Sequence, residues 1–392
     1  MDQELKFKDI EFIENIQSSS EPNWMKEERI NSYKLFSSLP SIKLKYGISI
    51  SLDTSQINFE EIKIIEKKQI KLPKYKNVII ENLSDALINH EEIIKKYIFS
   101  SFDKNLSKFE ALHKMFWNKG LFVYIPKNTK VNEPIILEDL SDNFEFQHNL
   151  IILEENSSAV ILEEEKSNNE NKAYKTKVTE IFLNNHSALD YINSQNLSQN
   201  TILFSSKRAS LSNDSIINWF DFCLGGKITK SEIITKLNSP GSTTNIYSLF
   251  SSDNTQQFDL SSSVFHNSKY TNSDMLTKGI LYGRSKIIYN GLIKIEENAS
   301  NSNGYQKQEA LLLSPLAEIN PIPSLEIDNN NIKCKHSTSV SQIDKDKLFY
   351  LISRGISEEQ STKLIVNGFL DQIIRKVKIK EIRKRIRKII LK

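Results

Sequence analysis

The sequence predicts a mainly β protein whose core is a parallel β-helix (β-solenoid), with helical segments before and after it. Three observations support this fold class. From Gly120 to about Ser341 the chain is a succession of short β-type runs separated by small polar turns, and no helical stripe of normal length interrupts them. Several of these runs start with the same type of corner. The flanking regions instead space their apolar residues as helices do.

The repeated corner favours a solenoid over an antiparallel sandwich. A polar or proline-bearing turn is followed by alanine and then by alternating apolar residues, as at Asn156–Ala159, Asn185–Ala188, Asn298–Ala299 and Ser314–Ala317. Recurrence near one to one-and-a-half coils suits stacked rungs that bury a continuous core. A sandwich of this size would show hairpin turns such as Asn-Gly between its runs, and Asn290-Gly291 is too little support for that. The sandwich remains the alternative.

The N-terminal region, residues 1–117, is predicted to be mostly helical. The segment "PNWMKEERINSYKLFSSLP" has apolar residues at roughly helical spacing and ends at Pro40. A later helical segment ends near Gly120, a plausible C-cap. Between these helices, "KLPKYKNVII" is short and β-like. The β-helix core is assigned to residues 118–341.

The C-terminal region, residues 342–392, is helical again. Asp344 is the predicted N-cap and Gly355 the C-cap of a first helix, and Ser357 is the N-cap of a second. The last stretch spaces four isoleucines by three, four and three residues on an otherwise cationic helix: Ile379, Ile382, Ile386 and Ile389. This stripe indicates a helix packed on its own domain or on a partner. Nucleic-acid binding by the basic face is the alternative.

Composition excludes several classes of protein. The 392 residues are 39% hydrophobic and 26% charged, as in a soluble globular protein, and the net charge of +3 points to no partner. The N-terminus has no signal-peptide core, and no window approaches the ~20 apolar residues of a membrane span. Cys223 and Cys334 alone exclude a disulfide framework. We therefore expect a cytoplasmic protein, or a stromal one in a plastid-bearing source.

Cys334 and His336 form the one constellation that could carry chemistry. In a strand, residues i and i+2 face the same side, so the thiol and the imidazole could converge on one ligand. Both suit iron, zinc or copper, but a closed metal site needs more ligands than this chain offers nearby. A nucleophile with its base and a pair of packing side chains are the other two readings. No phosphate-binding loop is present. Glu163, Glu164 and Glu165 are expected to form a solvated strand edge.

The chain resembles the SufB/SufD family of the SUF iron–sulfur cluster assembly system, and its SufD branch in particular. The C-terminal signature, an LEI run, then K-C-x-H, then L-F-Y-L-x-S-R-G-I, matches at Leu325, Glu326, Ile327, Lys333, Cys334, His336 and Leu348–Ile356. Further upstream, the matching positions are His266, Ser273, Lys278, Gly279, Asn290, Gly291 and Ile293. The segments "GLFVYIPKNTKVNEPIIL" and "PNWMKEERINSY" also resemble earlier parts of the family.

The SufB branch is separated from this chain by two positions. It carries a cysteine just ahead of the leucine-rich strand where this chain has Ala310, and Glu-His-Glu-Ala where this chain has Cys334–Ser337. The compact length also favours SufD. One departure is that Ser337, Thr338 and Ser339 stand where the family usually has Gly-Ala-Thr, so a stiffer backbone is expected next to His336.

The resemblance implies a right-handed parallel β-helix and a non-catalytic scaffold subunit. It implies pairing with SufB through the β-helix, docking of the SufC ATPase through the C-terminal helices, and a nascent iron–sulfur cluster at the SufB–SufD interface. His336 is then the candidate cluster ligand and Cys334 a weaker one. The ATPase-docking residues are Leu348, Phe349, Tyr350, Leu351, Ser353, Arg354, Gly355 and Ile356. No stably bound cofactor is expected, although the assembled complex could include a flavin.

Two other hypotheses remain besides a SufB-type subunit. A β-helix carbohydrate-active enzyme would need two carboxylates facing a groove, and no convincing pair is found. A nucleic-acid-binding tail would show steeply salt-dependent binding that disappears when residues 378–392 are deleted.

Overall fold

The computed structural model describes residues 16–39, 72, 75–103, 106–140, 144–167 and 172–390. The helices are α1 (Asn23–Ser38), α2 (Leu83–Asn89), α3 (Glu91–Tyr97), α4 (Lys108–Phe116), α5 (Lys345–Ser353), α6 (Glu358–Ile374) and α7 (Lys380–Ile390). The strands are β1 (Ile79–Asn82), β2 (Leu121–Ile125), β3 (Ile135–Leu140), β4 (Phe144–Leu153), β5 (Ser158–Lys166), β6 (Ala173–Leu183), β7 (Ala188–Asn196), β8 (Thr201–Leu211), β9 (Ile216–Cys223), β10 (Ile228–Leu237), β11 (Thr243–Ser252), β12 (Gln257–His266), β13 (Asn272–Leu281), β14 (Lys286–Ile295), β15 (Asn303–Leu312), β16 (Glu318–Ile327) and β17 (Lys333–Gln342).

The strands wind into a parallel β-helix of about seven turns, which confirms the predicted fold class. The even-numbered strands stack in one sheet and the odd-numbered strands from β3 to β17 in the other, while β1 adds antiparallel to β2. Ser158 pairs with Ala188, and Ala188 with Ile216, so one coil takes about thirty residues. Equivalent positions of successive coils therefore lie one above the other.

Several polar corners of the solenoid turn through a left-handed residue, and these corners stack from coil to coil. Asn156, His186, Asp214 and Asn301 have φ between 51° and 58°. Asparagine and aspartate tolerate this conformation better than other residues with a side chain. The backbone N–H of Asn156 donates to the carbonyl of Asn185 in the next coil at 3.0 Å. The corner residues thus both turn the chain and join neighbouring coils.

Helices cover part of the outer face of each sheet. The N-terminal helices α1 to α4 bury an apolar cluster against the outer face of β2, β4 and β6. Helices α6 and α7 do the same on the other sheet, where Ile382 and Ile386 are buried and Ile379 packs against them. The isoleucine stripe of α7 therefore packs on its own chain. No helix in the described ranges has the length and hydropathy needed to cross a bilayer.

The predicted caps of the C-terminal helices are present. The Asp344 carboxylate accepts from the backbone N–H of Asp346 and Lys347, and the Ser357 hydroxyl accepts from that of Gln360. Gly355 has φ of +85° just after α5, a conformation that favours glycine. The domain boundaries at residues 117 and 341 stay predictions.

The expectation that Glu163, Glu164 and Glu165 form a solvated edge is wrong, since all three are buried. They do alternate between the two faces of β5, as a strand requires, but both faces are covered. Glu163 and Glu165 point into the β-helix, where Lys177 Nζ lies 2.7 Å from Glu163. Glu164 faces outward and pairs with Arg385 of α7 at 3.2 Å. On one side, the interior of the first coils therefore contains buried ion pairs.

The variant Lys177→Met tests how much these buried ion pairs contribute to the free energy of unfolding. Burial opposes the Lys177 charge, but Glu163 and Glu165 outweigh it and raise the pKa of Lys177, so the side chain stays charged. We expect Lys177→Met to cost roughly 3–5 kcal/mol because it leaves buried carboxylates short of a partner. Urea unfolding at pH 7 measures the loss. The control is Lys127→Met, which breaks an exposed pair with Glu155 and should cost under about 1 kcal/mol. Equal losses would contradict the prediction.

Candidate functional site

The last turn of the β-helix, formed by β16 and β17, is uncovered. Among the described strands, β16 pairs only with β14 and β17 only with β15, so each has one free edge. Nearly every side chain of β17 is exposed, whereas β13 and β14 are largely buried. A free strand edge presents unpaired N–H and C=O groups to any other chain. The described strands thus have two unpaired edges at this end of the solenoid.

Cys334 and His336 both lie on this last turn, on the face that points into the solenoid. In the parallel register Cys334 pairs with Gly304, and His336 pairs with Gln306. Gly304 and Gln306 are buried inside the solenoid, and parallel pairs share a face. The structure therefore brings the two candidate residues side by side, as their spacing predicts.

The two residues differ in how they are covered. Cys334 is half-buried against the apolar interior, with its Sγ 3.2 Å from where a Cβ on Gly304 would lie. Burial raises the pKa of the Cys334 thiol, which keeps it protonated and poorly nucleophilic. His336 is exposed at the open end. Of the two, the imidazole is the more accessible to a partner or to solvent.

The serine and threonine residues after His336 do not disturb the strand. β17 continues through Ser337, Thr338 and Ser339 to Gln342 in register with β15. The departure from the family's Gly-Ala-Thr therefore leaves His336 in regular strand geometry.

Helix α5, which carries most of the predicted docking residues, has no buried side chain. Phe349 is 73% exposed and Tyr350 57%, and Ile352 on the same helix is also exposed. Ser353, Arg354 and Gly355 are exposed too, while Leu348, Leu351 and Ile356 are half-buried. Arg354 lies over the Tyr350 ring at 5.3 Å. An apolar helix without cover is a typical mark of a protein–protein contact.

Residues 135–369 match the family model of the SufBD core domain of SUF system FeS cluster assembly, and residues 50–137 match the SufBD protein N-terminal region. The chain belongs to the SufBD family. Proteins named "Iron-sulfur cluster assembly SufBD family protein" from Staphylococcus epidermidis (strain ATCC 12228), Staphylococcus aureus (strain USA300) and Staphylococcus haemolyticus are each 27% identical to it over 376 residues. The alignments cover 94% of this chain and 79% of each relative. The resemblance to the SufBD family is thus confirmed.

The upstream SufBD motif residues support the solenoid rather than the open end. Buried His266 bonds Thr271 Oγ1 through Nδ1 at 2.7 Å and Ser273 Oγ through Nε2 at 2.8 Å. Lys278 pairs with Glu309 on the next coil at 2.8 Å. At Gly279 and Gly291 a Cβ would collide with Phe250 and with Gln306, so these glycines leave room for interior side chains.

His266 should make stability depend on pH. Burial lowers the pKa of His266 to about 4, against an ordinary 6.5. As the pH falls below 6.5 the unfolded chain takes up a proton that the folded chain refuses, so stability is lost between pH 6.5 and 4. We expect about 3 kcal/mol of loss from this residue at 1.36 kcal/mol per pH unit. Urea unfolding from pH 8 to pH 4 should show a smaller acid loss for His266→Gln than for the parent chain. Identical pH slopes would contradict the prediction.

The sequence reasoning missed two residues next to the candidate site. Gln306 and Gln308 are 1% and 4% exposed and point into the β-helix directly beneath the last turn. The signal in the sequence is that Gly304, Gln306, Gln308 and Ala310 occupy alternate positions within the β-type region that contains β15. A glutamine pair on the inward face of a strand is unusual and marks a polar interior.

Proposed function

We propose that this SufBD protein is a SufD-type scaffold subunit of the SUF machine. It pairs with a SufB-type sister through the last turn of the β-helix and docks the SufC ATPase through α5 and the start of α6. A nascent iron–sulfur cluster is built where the two scaffolds meet, with His336 as a ligand from this chain and Cys334 as a weaker candidate. The observation that carries the proposal is the uncovered last turn, which holds both residues.

The last turn has the properties of an interface. Its two free edges can extend both sheets into a partner, and main-chain hydrogen bonds then supply affinity. Ile327 and Val340, at 44% and 43% exposure, project from the same end of the solenoid as His336. Apolar residues near the centre of a contact, with polar residues around them, are the usual anatomy of protein interfaces.

Ala310 supports the SufD type over the SufB type. It is 4% exposed and faces the solenoid interior on β15, paired in register with Val340 of the last strand. The SufB type has a cysteine just ahead of the leucine-rich strand, and alanine cannot bind iron. Under this proposal the thiolate ligand comes from the sister subunit, and this chain supplies the imidazole, which also suits iron. A SufB-type role for this chain remains the alternative.

The chain connects the docking helix directly to the strand that carries the candidate ligand. β17 ends at Gln342 and α5 begins at Lys345, so only Ile343 and Asp344 separate them. A displacement of α5 by the ATPase would therefore act on β17 itself. Arg354 and Gly355 form the joint to α6, and nothing lies within 4 Å of where a Cβ on Gly355 would sit. ATP-driven closure of the ATPase thus has a short mechanical route to His336.

In this scheme the cluster is cargo and the chain performs no turnover. The chain's own part is to orient His336, to hold Cys334 against the interior and to present two strand edges. A flavin in the assembled complex stays a prediction.

Co-expression with SufB-type and SufC-type partners tests the proposal. We expect a three-component complex that accumulates iron and sulfide when it is purified anaerobically, and no cluster on this chain alone. If the chain co-purifies with neither partner, or catalyses a reaction by itself, the proposal is wrong.

A further inference from the structure

Two buried carboxamides beneath His336 have no hydrogen-bond partner. The side-chain N and O atoms of Gln306 and Gln308 are all inaccessible, and none is bonded. A buried polar group without a partner is costly, so native structures nearly always satisfy such groups. Four such polar atoms lie on two neighbouring inward positions of β15. They therefore need hydrogen-bond partners other than the bonds observed.

The surroundings leave few candidates for that partner. In the coil below, the register neighbours are Met275 and Thr277, and the Thr277 hydroxyl already donates to Tyr289 Oη at 2.7 Å. On the facing sheet lie Gly291 and its register neighbour Pro323, neither of which has a polar side-chain atom. Among these positions only the Thr277 oxygen has a lone pair that can accept, from Gln308, and none supplies a donor to the Gln306 oxygen.

The coil above does offer polar side chains. Gln306 pairs in register with His336, and Gln308 pairs with Thr338, all four on the inward face. The Gln306 amide nitrogen occupies the space beside Gly291, where a Cβ would collide with it, so the glycine is what accommodates this amide inside the solenoid. A small cavity lined in part by Gln308 and Thr338 provides similar room one position along.

We propose that Gln306 is a positioning residue for His336. Its carboxamide oxygen accepts the N–H of the inward imidazole nitrogen, which leaves the lone pair of the outward nitrogen facing the open end. A histidine that binds a metal usually donates its other ring N–H to such an acceptor, which fixes the tautomer and the ring orientation. That the outward nitrogen then meets iron rests on the proposed function, whereas the Gln306–His336 contact does not.

Histidine tautomers in the isolated chain test the contact without any metal. The chain has six histidines, so ¹⁵N-histidine labelling gives few signals, and His336 is assigned by the signal lost in His336→Gln. At pH about 8.5, where ordinary imidazoles are neutral, we expect one tautomer of His336 to dominate. Gln306→Met, which keeps length and removes both polar atoms, should change the tautomer ratio by about fivefold. Gln306→Glu keeps the acceptor and should retain the parent tautomer.

Gln308→Met is the matched control, because it removes the same group one inward position away, beneath Thr338. It should leave the His336 tautomer unchanged, and thermal unfolding of each variant shows whether it is folded. An unchanged ratio in folded Gln306→Met, or an equal change in Gln308→Met, overturns the proposal. In the complex with its partners, Gln306→Met should lower cluster yield about 10- to 100-fold. If Gln306→Met moves the tautomer but His336→Ala leaves cluster yield intact, the proposed function fails and the contact stands.

Discussion

His336→Ala should abolish cluster build-up in the complex while leaving the complex assembled. The imidazole is exposed on the last turn, so its removal leaves no large cavity and costs the fold little. The cluster loses its candidate imidazole ligand, and Cys334 is poorly placed to replace it, because it is half-buried and burial raises the pKa of its thiol. Iron and sulfide per purified complex, measured anaerobically, should fall to background.

A second exposed histidine provides the control for this variant. His186 lies at a corner of the solenoid with its side chain 54% exposed, and it is far along the chain from the last turn. His186→Ala should leave both assembly and cluster yield unchanged. If His336→Ala instead prevents the subunits from associating, His336 is a structural part of the interface and not a cluster ligand.

The double variant Phe349→Ala and Tyr350→Ala should remove detectable association with the ATPase. Buried aromatic anchors commonly contribute about 2–4 kcal/mol each to an interface, so losing both weakens binding by at least several hundredfold. The fold should not suffer, because α5 has no buried residue and both rings are mostly in solvent. Calorimetric titration of the ATPase into the purified chain, with thermal unfolding of the chain alone, separates the two effects.

An exposed apolar residue elsewhere in the chain provides the control for the docking variant. Ile88 of α2 is 58% exposed but lies on the N-terminal side of the molecule. Ile88→Ala should leave ATPase binding intact. Binding that survives the loss of both aromatic rings would place the docking surface elsewhere and contradict the proposed function.

Most of the fold was predictable because a β-helix repeats its local rules. Alternating apolar residues predicted the strands, and two of the four predicted corners turn through a left-handed residue, Asn156 in one and His186 in the other. The exact register was less accessible. Ala159 and Ala188 share the same corner in sequence, yet Ala159 pairs with Leu189, because coils differ in length by a residue or two.

The buried charges show a limit of prediction from local sequence patterns. Three consecutive glutamates are read as solvated because nothing local indicates cover on both faces of a strand. Their partners come from Lys177 on the opposite sheet and from Arg385, more than two hundred residues away, and only the folded chain brings these together. Charge patterning by itself cannot identify such long-range pairs.

The candidate site was predictable in part for a similar reason. The i, i+2 spacing put Cys334 and His336 on one face of a strand, which the register confirms. Spacing could not reveal that this strand is the last of the solenoid, nor that Cys334 is packed while His336 is exposed. The amides of Gln306 and Gln308 escaped notice because glutamine is ordinarily a surface residue.

The free edges at the end of the solenoid carry a cost for the cell. Extended edges of this kind are templates for indiscriminate pairing and aggregation, and here both strands of the terminal rung have one. If a sister subunit covers these edges, any copy made in excess keeps them exposed. To avoid aggregation, the cell then has to make the two subunits in matched amounts or to degrade the unpaired one rapidly.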